Sequence, residues 1–389
     1  MNRRQFAALP LAAAAPYYPP PDAAGGWRFR APGAAALDKL DAAFERARGA
    51  TKHGGLLVVH GGWLVYERYF GRAGREATPN GASMGKSFTS IAIGMLLAEH
   101  AESFPEGLDQ KVYTVRYLPP EAFPLSDPAK AEIKLGHLLT MTAGLLGNNP
   151  AAVRGKSVTL ERTGPDGWQA MVDAAAFSTP LWTRPGEGWC YATVSPHLLS
   201  IIVRRLAGME LQEYLDRKLG RPLGWGRWGY GYRRAEIAHT PGGGGIALRP
   251  TDMLRFLHML LHDGVWNGRR VAPAEYVRLC RRPSRFNPHR PAYGMHFYNN
   301  ATGEVAGAPP DAFWFGGSGG YNFYVVPSLD LAAYRIGGRD EQYNLALTNV
   351  PPPPGGLPPY DGSRESWKAP RPDPNVAGEI LRLVCEAFR

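Results

Sequence analysis

Stretches with the sequence pattern of β-strands occur near both ends of this 389-residue chain, and the patterns between them are mostly helical. The run GLLVVHGGWLVYERYFG at 55–71 places two β-rich segments around a Gly-Gly loop, which predicts a hairpin. The run YNFYVVPSLDLAAYRIGG at 321–338 predicts two further strands around a proline-containing turn. The simplest arrangement is an α+β fold, in which an antiparallel sheet is built from both chain ends and flanked by helices, with a mainly helical insertion.

Helical periodicity marks much of the remaining chain. Apolar residues between positions 84 and 95 recur at spacings of four, three and four, which predicts one face of a buried helix over 84–100. The patterns at 249–264 and 375–388 predict two further helices, the second of which closes the chain. We therefore divide the chain into an export segment and linker at 1–26, a sheet domain at 27–100 and 240–389, and a mainly helical inserted domain at 101–239.

The composition is that of an ordinary globular protein, with 44% hydrophobic and 20% charged residues. No apolar run reaches the ~18 residues that a spanning helix needs, so stable membrane insertion is not expected. The net charge of +10 comes mostly from arginines that lie apart and outside any nucleic-acid-binding motif, so a nucleic-acid partner is not expected. Cys190, Cys280 and Cys385 show neither C-x-x-C spacing nor a His cluster, which argues against a metal site, and no cofactor is indicated.

The first residues, MNRRQFAALPLAAAAPYYPPP, join Arg3-Arg4 and Phe6 to a short alanine-rich stretch and a proline-rich segment. This pattern resembles a twin-arginine export signal, which predicts an exported bacterial protein, periplasmic or secreted. The mature chain would then begin between residues 16 and 26. The alternative is a disordered basic start on a cytoplasmic protein.

Gly316-Gly317-Ser318-Gly319-Gly320 fits the G-x-S-x-G pattern of hydrolases whose nucleophile lies on a turn between a strand and a helix. Here the strand pattern YNFYVV follows the serine, and the last of the ten histidines is His296. The α/β-hydrolase order places the histidine after the serine, so that mechanism would lack its base. Ser318 is therefore not expected to be the nucleophile, and its glycine neighbours indicate a role for its backbone N–H.

Ser83-Met84-Gly85-Lys86 is the only S-x-x-K in the chain, and it stands at the start of the helix predicted over 84–100. Residues three apart share one face of a helix, so Lys86 can reach Ser83. A lysine can take the proton of a serine hydroxyl only if burial and neighbours lower its pKa. A helix N-terminus would also favour negative charge near the serine. The alternative is a helix cap followed by a surface lysine.

Further segments follow in order: IKLGHLLTMTAGLL at 133–146, PGEGWCYATVSPHLLSIIVRRLAG at 185–208, GGGIALRPTDMLRFLHMLLHDGVWNGRRV at 243–271 and FGGSGGYNFYVVPSLDL at 315–331. Together with the S-x-x-K, they make the chain resemble the serine β-lactamase-like family over residues 50–350. That family includes class C β-lactamases, D-alanyl-D-alanine peptidases, their esterase relatives and the 6-aminohexanoate-oligomer hydrolases. The resemblance implies a β-lactamase/transpeptidase-like fold and an acyl-enzyme mechanism.

The resemblance also implies roles for individual residues. Tyr191-Ala192-Thr193 stands at the family's Y-x-N motif, and Phe315-Gly316-Gly317 stands at its K-T-G or H-x-G motif on the sheet edge. Tyr191 would share a proton with Lys86, and we expect it to ionise more easily beside the ammonium. The implied catalytic set is Ser83, Lys86 and Tyr191, with Thr193, Phe315, Gly316 and Gly317 binding substrate and the backbone N–H groups of Ser83 and Ser318 forming the oxyanion hole.

Two positions depart from the family's pattern. Thr193 replaces an Asn and removes its amide group, which makes amide recognition less assured. Phe315 replaces a Lys or His, and an apolar ring cannot bind a substrate carboxylate. A pocket for a neutral acyl group could use Phe315 together with Trp182, Trp189, Trp314 and Tyr321.

The predicted function is that of a serine hydrolase whose partner is a small-molecule ester or amide. A carboxylesterase acting on small neutral acyl substrates comes first, and an amidase comes second. The alternatives are a β-lactamase or D-alanyl-D-alanine peptidase, and a non-catalytic binding protein with the same fold. Retention of Ser83, Lys86 and Tyr191 disfavours the last of these.

Overall fold

A computed structural model describes residues 17–352 and 375–389. The predicted twin-arginine motif lies outside these residues, as does most of the proline-rich stretch after residue 350. The helices in the described part are α1 (Ala34–Arg48), α2 (Gly85–Glu99), α3 (Leu135–Thr140), α4 (Asp173–Ser178), α5 (Val194–Ala207), α6 (Leu211–Leu215), α7 (Arg221–Leu223), α8 (Pro250–Leu261), α9 (Ala274–Cys280) and α10 (Val376–Glu386). The strands are β1 (Gly54–His60), β2 (Trp63–Phe70), β3 (Asn148–Val153), β4 (Lys156–Val158), β5 (Trp189–Tyr191), β6 (Trp228–Tyr230), β7 (Ile246–Leu248), β8 (Val265–Trp266), β9 (Arg269–Arg270), β10 (Tyr293–Gly294), β11 (Phe297–Asn299), β12 (Phe313–Gly317), β13 (Tyr321–Val326) and β14 (Leu331–Ile336).

The central sheet has seven strands in the order β10-β11-β12-β13-β14-β1-β2, and each neighbouring pair is antiparallel. The N-terminal hairpin joins the C-terminal strands through β1, which pairs with β14 from Gly55 opposite Ile336 to His60 opposite Leu331. The α+β class and the sheet built from both chain ends are therefore confirmed. Strands β10 and β11 were not predicted, because two and three residues are too few to show an alternating pattern.

Each face of the sheet packs against helices. Helices α1 and α10 share one core with Leu56 and Val58 of β1, whereas α2 and α8 share the other with Leu57 and Val59. Successive side chains of a strand point to opposite faces, so a strand covered on both sides is apolar throughout. This double burial accounts for the unbroken run LLVV in β1.

The segment 101–239 contains α3 to α7 and an antiparallel group in which β3 pairs with β4 and β5. Helix α3 is shorter than the helical pattern at 133–146, because Met141 adopts a positive φ of 59° and ends it. The division of the chain into three parts stays a prediction. In the ranges that the structure covers, no helix is both long enough and apolar enough to cross a bilayer.

Candidate active site

Ser83 lies in a 3-10 turn, Ala82–Met84, that runs directly into α2. Ala82 has a φ of 49°, a left-handed conformation that costs free energy for a residue with a Cβ. Two hydrogen bonds hold the turn, from the Ala82 N–H to Asn80 Oδ1 at 2.8 Å and from the Gly245 N–H to the Ala82 carbonyl at 2.7 Å. The surroundings thus impose a strained turn that presents a half-buried serine at the start of a helix.

Lys86 is fully buried, and its Nζ lies 3.0 Å from Ser83 Oγ. The same Nζ donates a hydrogen bond to the carbonyl of Gly243. Burial lowers the pKa of Lys86 to about 7, and the more distant charge of Asp166 opposes that shift. At neutral pH a large share of this lysine is uncharged and can accept a proton. The alternative of a surface lysine after a helix cap is therefore wrong.

The glycine run 242–245 forms the wall behind Ser83 and Lys86. A Cβ on Gly244 would come within 2.7 Å of the Ala82 carbonyl oxygen, and one on Gly243 would come within 2.6 Å of Thr193 Cγ2. Glycine is therefore needed for the backbone to approach the serine turn this closely. Sequence reasoning assigned no role to Gly243, although four consecutive glycines were a signal for such an approach.

Tyr191 ends β5, and its ring centroid lies 5.2 Å from Lys86 Nζ. Burial, followed by the neighbouring phenol of Tyr298, raises the pKa of Tyr191 well above its usual value, while a side-chain hydrogen bond with Ser83 opposes the rise. The expectation that Tyr191 ionises more easily is therefore wrong, because burial disfavours the charged phenolate. A neutral phenol beside Ser83 can still relay a proton, so the structure brings all three predicted catalytic residues together.

Strand β12 passes the serine turn with an open edge, because β11 pairs with only Phe313 and Trp314 of this strand. A Cβ on Gly317 would be 2.2 Å from the Gly81 carbonyl oxygen, so glycine is required where β12 meets the turn. Within residues 17–352 and 375–389, the N–H groups of Ser83 and Ser318 have no protein acceptor. Both groups can therefore donate to a substrate oxygen.

Gln342 connects the segment just before the serine turn with the segment just after β12. Its Nε2 donates to the carbonyl of Ser318 at 3.0 Å and to the carbonyl of Asn80 at 2.9 Å. Sequence reasoning missed both Gln342 and Asn80, since isolated polar residues in loops carry no pattern. The side chain of Ser318 is exposed, in line with a role for its backbone alone.

Phe315 is 1% exposed, and its ring stacks on that of Tyr298 with centroids 5.7 Å apart. It is therefore a packing residue, and its partner Tyr298 is also the phenol that acts on the pKa of Tyr191. Thr193 is buried at the N-cap position of α5, with its methyl group toward Gly243. The predicted aromatic pocket does not form as proposed: Trp189 and Tyr321 lie in the core, and Trp182 and Trp314 are half-buried.

A cavity of about 230 Å³ opens beside Ser318. Its lining includes three exposed arginines, Arg233, Arg234 and Arg339. Arg335 lies in β14, where it is buried and donates to Asn322 Oδ1 at 3.3 Å. It does not line this cavity. In the described ranges no three His, Cys, Asp or Glu side chains are grouped to hold a metal ion.

The sequence profile of the Beta-lactamase family matches residues 37–336. The chain belongs to the β-lactamase family. Protein Rv1367c of Mycobacterium tuberculosis is 28% identical to this β-lactamase-family chain over 282 residues, covering 63% of the chain and 65% of that protein. Esterase EstB of Burkholderia gladioli is 27% identical over 267 residues, covering 63% and 64% respectively. The chain thus spans just under two thirds of the length of these curated relatives.

Among solved structures, EstCE1, a hydrolase with promiscuous acyltransferase activity, superposes with a TM-score of 0.58 at 17% identity, covering 80% of this chain and 97% of that one. At this identity the likeness shows the fold. The β-lactamase family consists of serine hydrolases, and the resemblance drawn from the order of the motifs is confirmed.

Proposed function

We propose that the protein is a carboxylesterase that cleaves small neutral esters through an acyl-enzyme on Ser83, with amides as second-choice substrates. The observation that carries the proposal is the 3.0 Å contact between Ser83 Oγ and the buried Nζ of Lys86. A serine hydroxyl is a weak nucleophile until a base removes its proton. A lysine whose pKa is lowered to about 7 is a base suited to neutral pH.

In the proposed reaction Ser83 Oγ attacks the ester carbonyl while Lys86 Nζ takes the serine proton. The N–H groups of Ser83 and Ser318 stabilise the negative oxygen of the tetrahedral intermediate. Tyr191, kept neutral by burial, relays a proton to the leaving alcohol. Water then attacks the acylated serine, and the carboxylic acid leaves as the proton returns to Ser83.

Charge near the serine supports a neutral substrate. Phe315 supplies no cation where family relatives carry Lys or His, and Asp166 is the acidic group that acts on both Lys86 and Tyr191. A substrate carboxylate at Ser83 would find no side-chain cation on β12, Phe313–Gly317, to pair with. The name of EstB, which describes an esterase, also supports ester cleavage.

The second candidate function is that of a β-lactamase or D-alanyl-D-alanine peptidase. The arginine-lined cavity beside Ser318 favours it, because Arg233, Arg234 or Arg339 could pair with a substrate carboxylate.

A p-nitrophenyl ester and a chromogenic cephalosporin separate the two candidates. We expect the ester to show a kcat/KM at least ~10²-fold higher, since one absent charge-assisted hydrogen bond is worth ~1.5–3 kcal/mol. Intact mass after a fluorophosphonate probe should show rapid labelling at Ser83. Equal rates for the two substrates would support the β-lactamase alternative, and Arg339→Ala would then test whether the cavity binds the carboxylate.

We also propose that the chain is exported, on the strength of Arg3-Arg4 and the apolar stretch that follows. Replacing both arginines with lysine should retain the protein in the cytoplasm of a host that has the twin-arginine pathway. If cell fractionation found that variant in the same compartment as the wild type, the export proposal would be contradicted.

A further inference from the structure

A second serine–lysine contact lies outside the candidate active site. Lys130 Nζ is 2.7 Å from Ser126 Oγ and 2.7 Å from the carbonyl oxygen of Phe177. Lys130 is 0% exposed, whereas Ser126 is exposed. Burial lowers the pKa of Lys130 to about 8, and the nearby charge of Asp127 opposes the shift. A buried, weakly basic amine therefore contacts a hydroxyl that solvent can reach.

This contact repeats the arrangement around Ser83. In both places a buried Nζ contacts one serine Oγ and donates to one backbone carbonyl, that of Gly243 or Phe177. A tyrosine ring lies near each Nζ, Tyr191 at 5.2 Å and Tyr113 at 5.9 Å. The Tyr113 hydroxyl is buried and has no hydrogen-bond partner among the described residues.

Ser126 lines a cavity of about 710 Å³, a size typical of small-molecule sites. Part of its wall is apolar and is formed by Ala122, Pro124, Val172 and Phe177. The carboxylates of Glu121, Asp173 and Glu236 also line it, although Asp173 is paired with Arg204. An uncharged, partly apolar acyl group suits this lining better than an anion does.

We propose that Ser126 is a second acylation site, which accepts the acyl group of neutral, activated esters. The Ser126 Oγ forms a bond to the acyl carbon as the bond from that carbon to the leaving phenolate breaks. The serine proton passes to Lys130 Nζ and from there to water, while the phenolate leaves as an anion. No oxidant, metal or further reactant is needed for the step.

The surroundings of Ser126 favour a single acylation over turnover. Helix α4 and loops line its cavity, whereas Ser83 faces the glycine-rich edge of β12. Among the described residues no glycine lines the Ser126 cavity, so we expect it to stabilise a developing oxyanion less than the N–H groups of Ser83 and Ser318 do at the candidate active site. We therefore expect a stable acyl adduct that forms slowly and is not hydrolysed at a catalytic rate.

Ser178 provides a matched control within the same cavity. It is exposed on α4 and lines the cavity, and its Oγ donates to the carbonyl of Ala174 at 2.9 Å, much as Ser126 Oγ donates to the carbonyl of Phe177 at 3.3 Å. Unlike Ser126, Ser178 contacts no lysine among the described residues. If Lys130 served only to bind the end of α4 through the Phe177 carbonyl, Ser126 would react no faster than Ser178. The ratio of the two rates thus separates a basic role of Lys130 from a structural one.

The test uses full-length Ser83→Ala protein treated with p-nitrophenyl acetate near pH 9, where a lysine of lowered pKa is largely uncharged. Peptide mass spectrometry should find the acetyl group on Ser126 at least about tenfold faster than on Ser178, the lower end of what a positioned base supplies. Adding Ser126→Ala should abolish that adduct, and adding Ser178→Ala should leave it unchanged. Equal rates at the two serines, or acetylation of Lys130 in place of Ser126, would overturn the proposal.

Lys130→Met in the same background should reduce the Ser126 rate to that of Ser178. Circular dichroism would show whether this variant folds. If the variant does not fold, the ratio of the Ser126 and Ser178 acetylation rates in the Ser83→Ala protein still tests the proposal. Because Ser83 is absent from every protein in this test, its failure is distinct from failure of ester turnover by the wild type.

Discussion

The two serine–lysine contacts use the same chemical groups on different backbones. Around Ser83 the chain is glycine-rich, and residues 242–245 and Gly317 bring main-chain atoms against the serine turn. Ser126 lies in a loop just before a 3-10 turn, Pro128–Glu132, and Lys130 in that turn contacts Phe177 of the short helix α4. A buried lysine beside a hydroxyl thus occurs at both places, whereas the close backbone approach that glycine allows is found at Ser83. We infer that the donors, more than the base, separate a catalytic serine from a merely reactive one.

The largest expected effect is the loss of turnover in Ser83→Ala. Removing a nucleophile costs about 10⁴-fold or more in kcat, and slow acylation of Ser126 cannot replace it because no fast deacylation follows. Steady-state hydrolysis of a p-nitrophenyl ester measures the effect, with Ser178→Ala as the control that should keep wild-type turnover. Continued turnover in Ser83→Ala would contradict the proposed difference between turnover at Ser83 and single acylation at Ser126.

The next effect is expected at Lys86 and Tyr191. Lys86→Ala and Tyr191→Phe should each lower kcat by about 10²-fold or more, and the double variant should lose little beyond the larger single effect, because both groups handle one proton. In the wild type, kcat/KM should rise with pH through about 7, since Lys86 must lose its proton to act as the base. Additive losses, or a flat pH profile between 6 and 8, would contradict this assignment.

A loss of similar size at most is expected from Gly317→Ala, which tests the close approach of β12 to the serine turn. The added Cβ would come within 2.2 Å of the Gly81 carbonyl oxygen and push β12 away from the serine turn. Loss of one oxyanion donor typically lowers kcat by about 10²–10³-fold. Ser318→Ala is the matched control and should keep most of the activity, because only its N–H is used. If Ser318→Ala were the more damaging change, its side chain would have a role that the geometry does not indicate.

The smallest effects concern stability and should appear at both lysines. Folding lowers the pKa of Lys86 from its ordinary 10.5 to about 7 and that of Lys130 to about 8. Between those values and 10.5 the unfolded chain binds more protons than the folded one, so the free energy of unfolding rises with pH in that window. Below the window both states are protonated, and the cost of the buried ammonium is fully present. Lys86→Met should therefore stabilise the protein at pH 6, by about 1–4 kcal/mol, and by less at pH 9.

Denaturant unfolding at the two pH values measures this difference. Lys130→Met should show a smaller gain, because its pKa is displaced less, and the exposed Lys111→Met should show almost none. A loss of stability at pH 6 in Lys86→Met would show that its hydrogen bonds to Ser83 and Gly243 outweigh the cost of burying the charge.

Sequence patterns were reliable where burial imposes a period or where a motif is local. The hairpin β1–β2, the helices α2, α8 and α10 and the pair β13–β14 follow from local apolar patterns and from the glycine and proline signals beside them. Ser83 and Lys86 lie three residues apart in one element, so their contact could be predicted. Strands β10 and β11 were missed because they are too short for a pattern, and Trp189 and Tyr321 were proposed as pocket residues because composition does not say which aromatics the core buries.

What the sequence determined by itself is the type of fold and the contact between Ser83 and Lys86, since each depends on residues that are neighbours along the chain or on the order of segments. Ser83 as the nucleophile, Lys86 as its base and the exclusion of Ser318 stay predictions from the same motifs. The tertiary structure decided everything that depends on distant segments meeting. It placed the carbonyl of Gly243 on Lys86, kept Tyr191 neutral, set Gly317 against Gly81 and brought Lys130 and Phe177 together beside Ser126. The physical reason is that desolvation and close backbone approach depend on how the whole chain packs, and no local sequence pattern records either quantity.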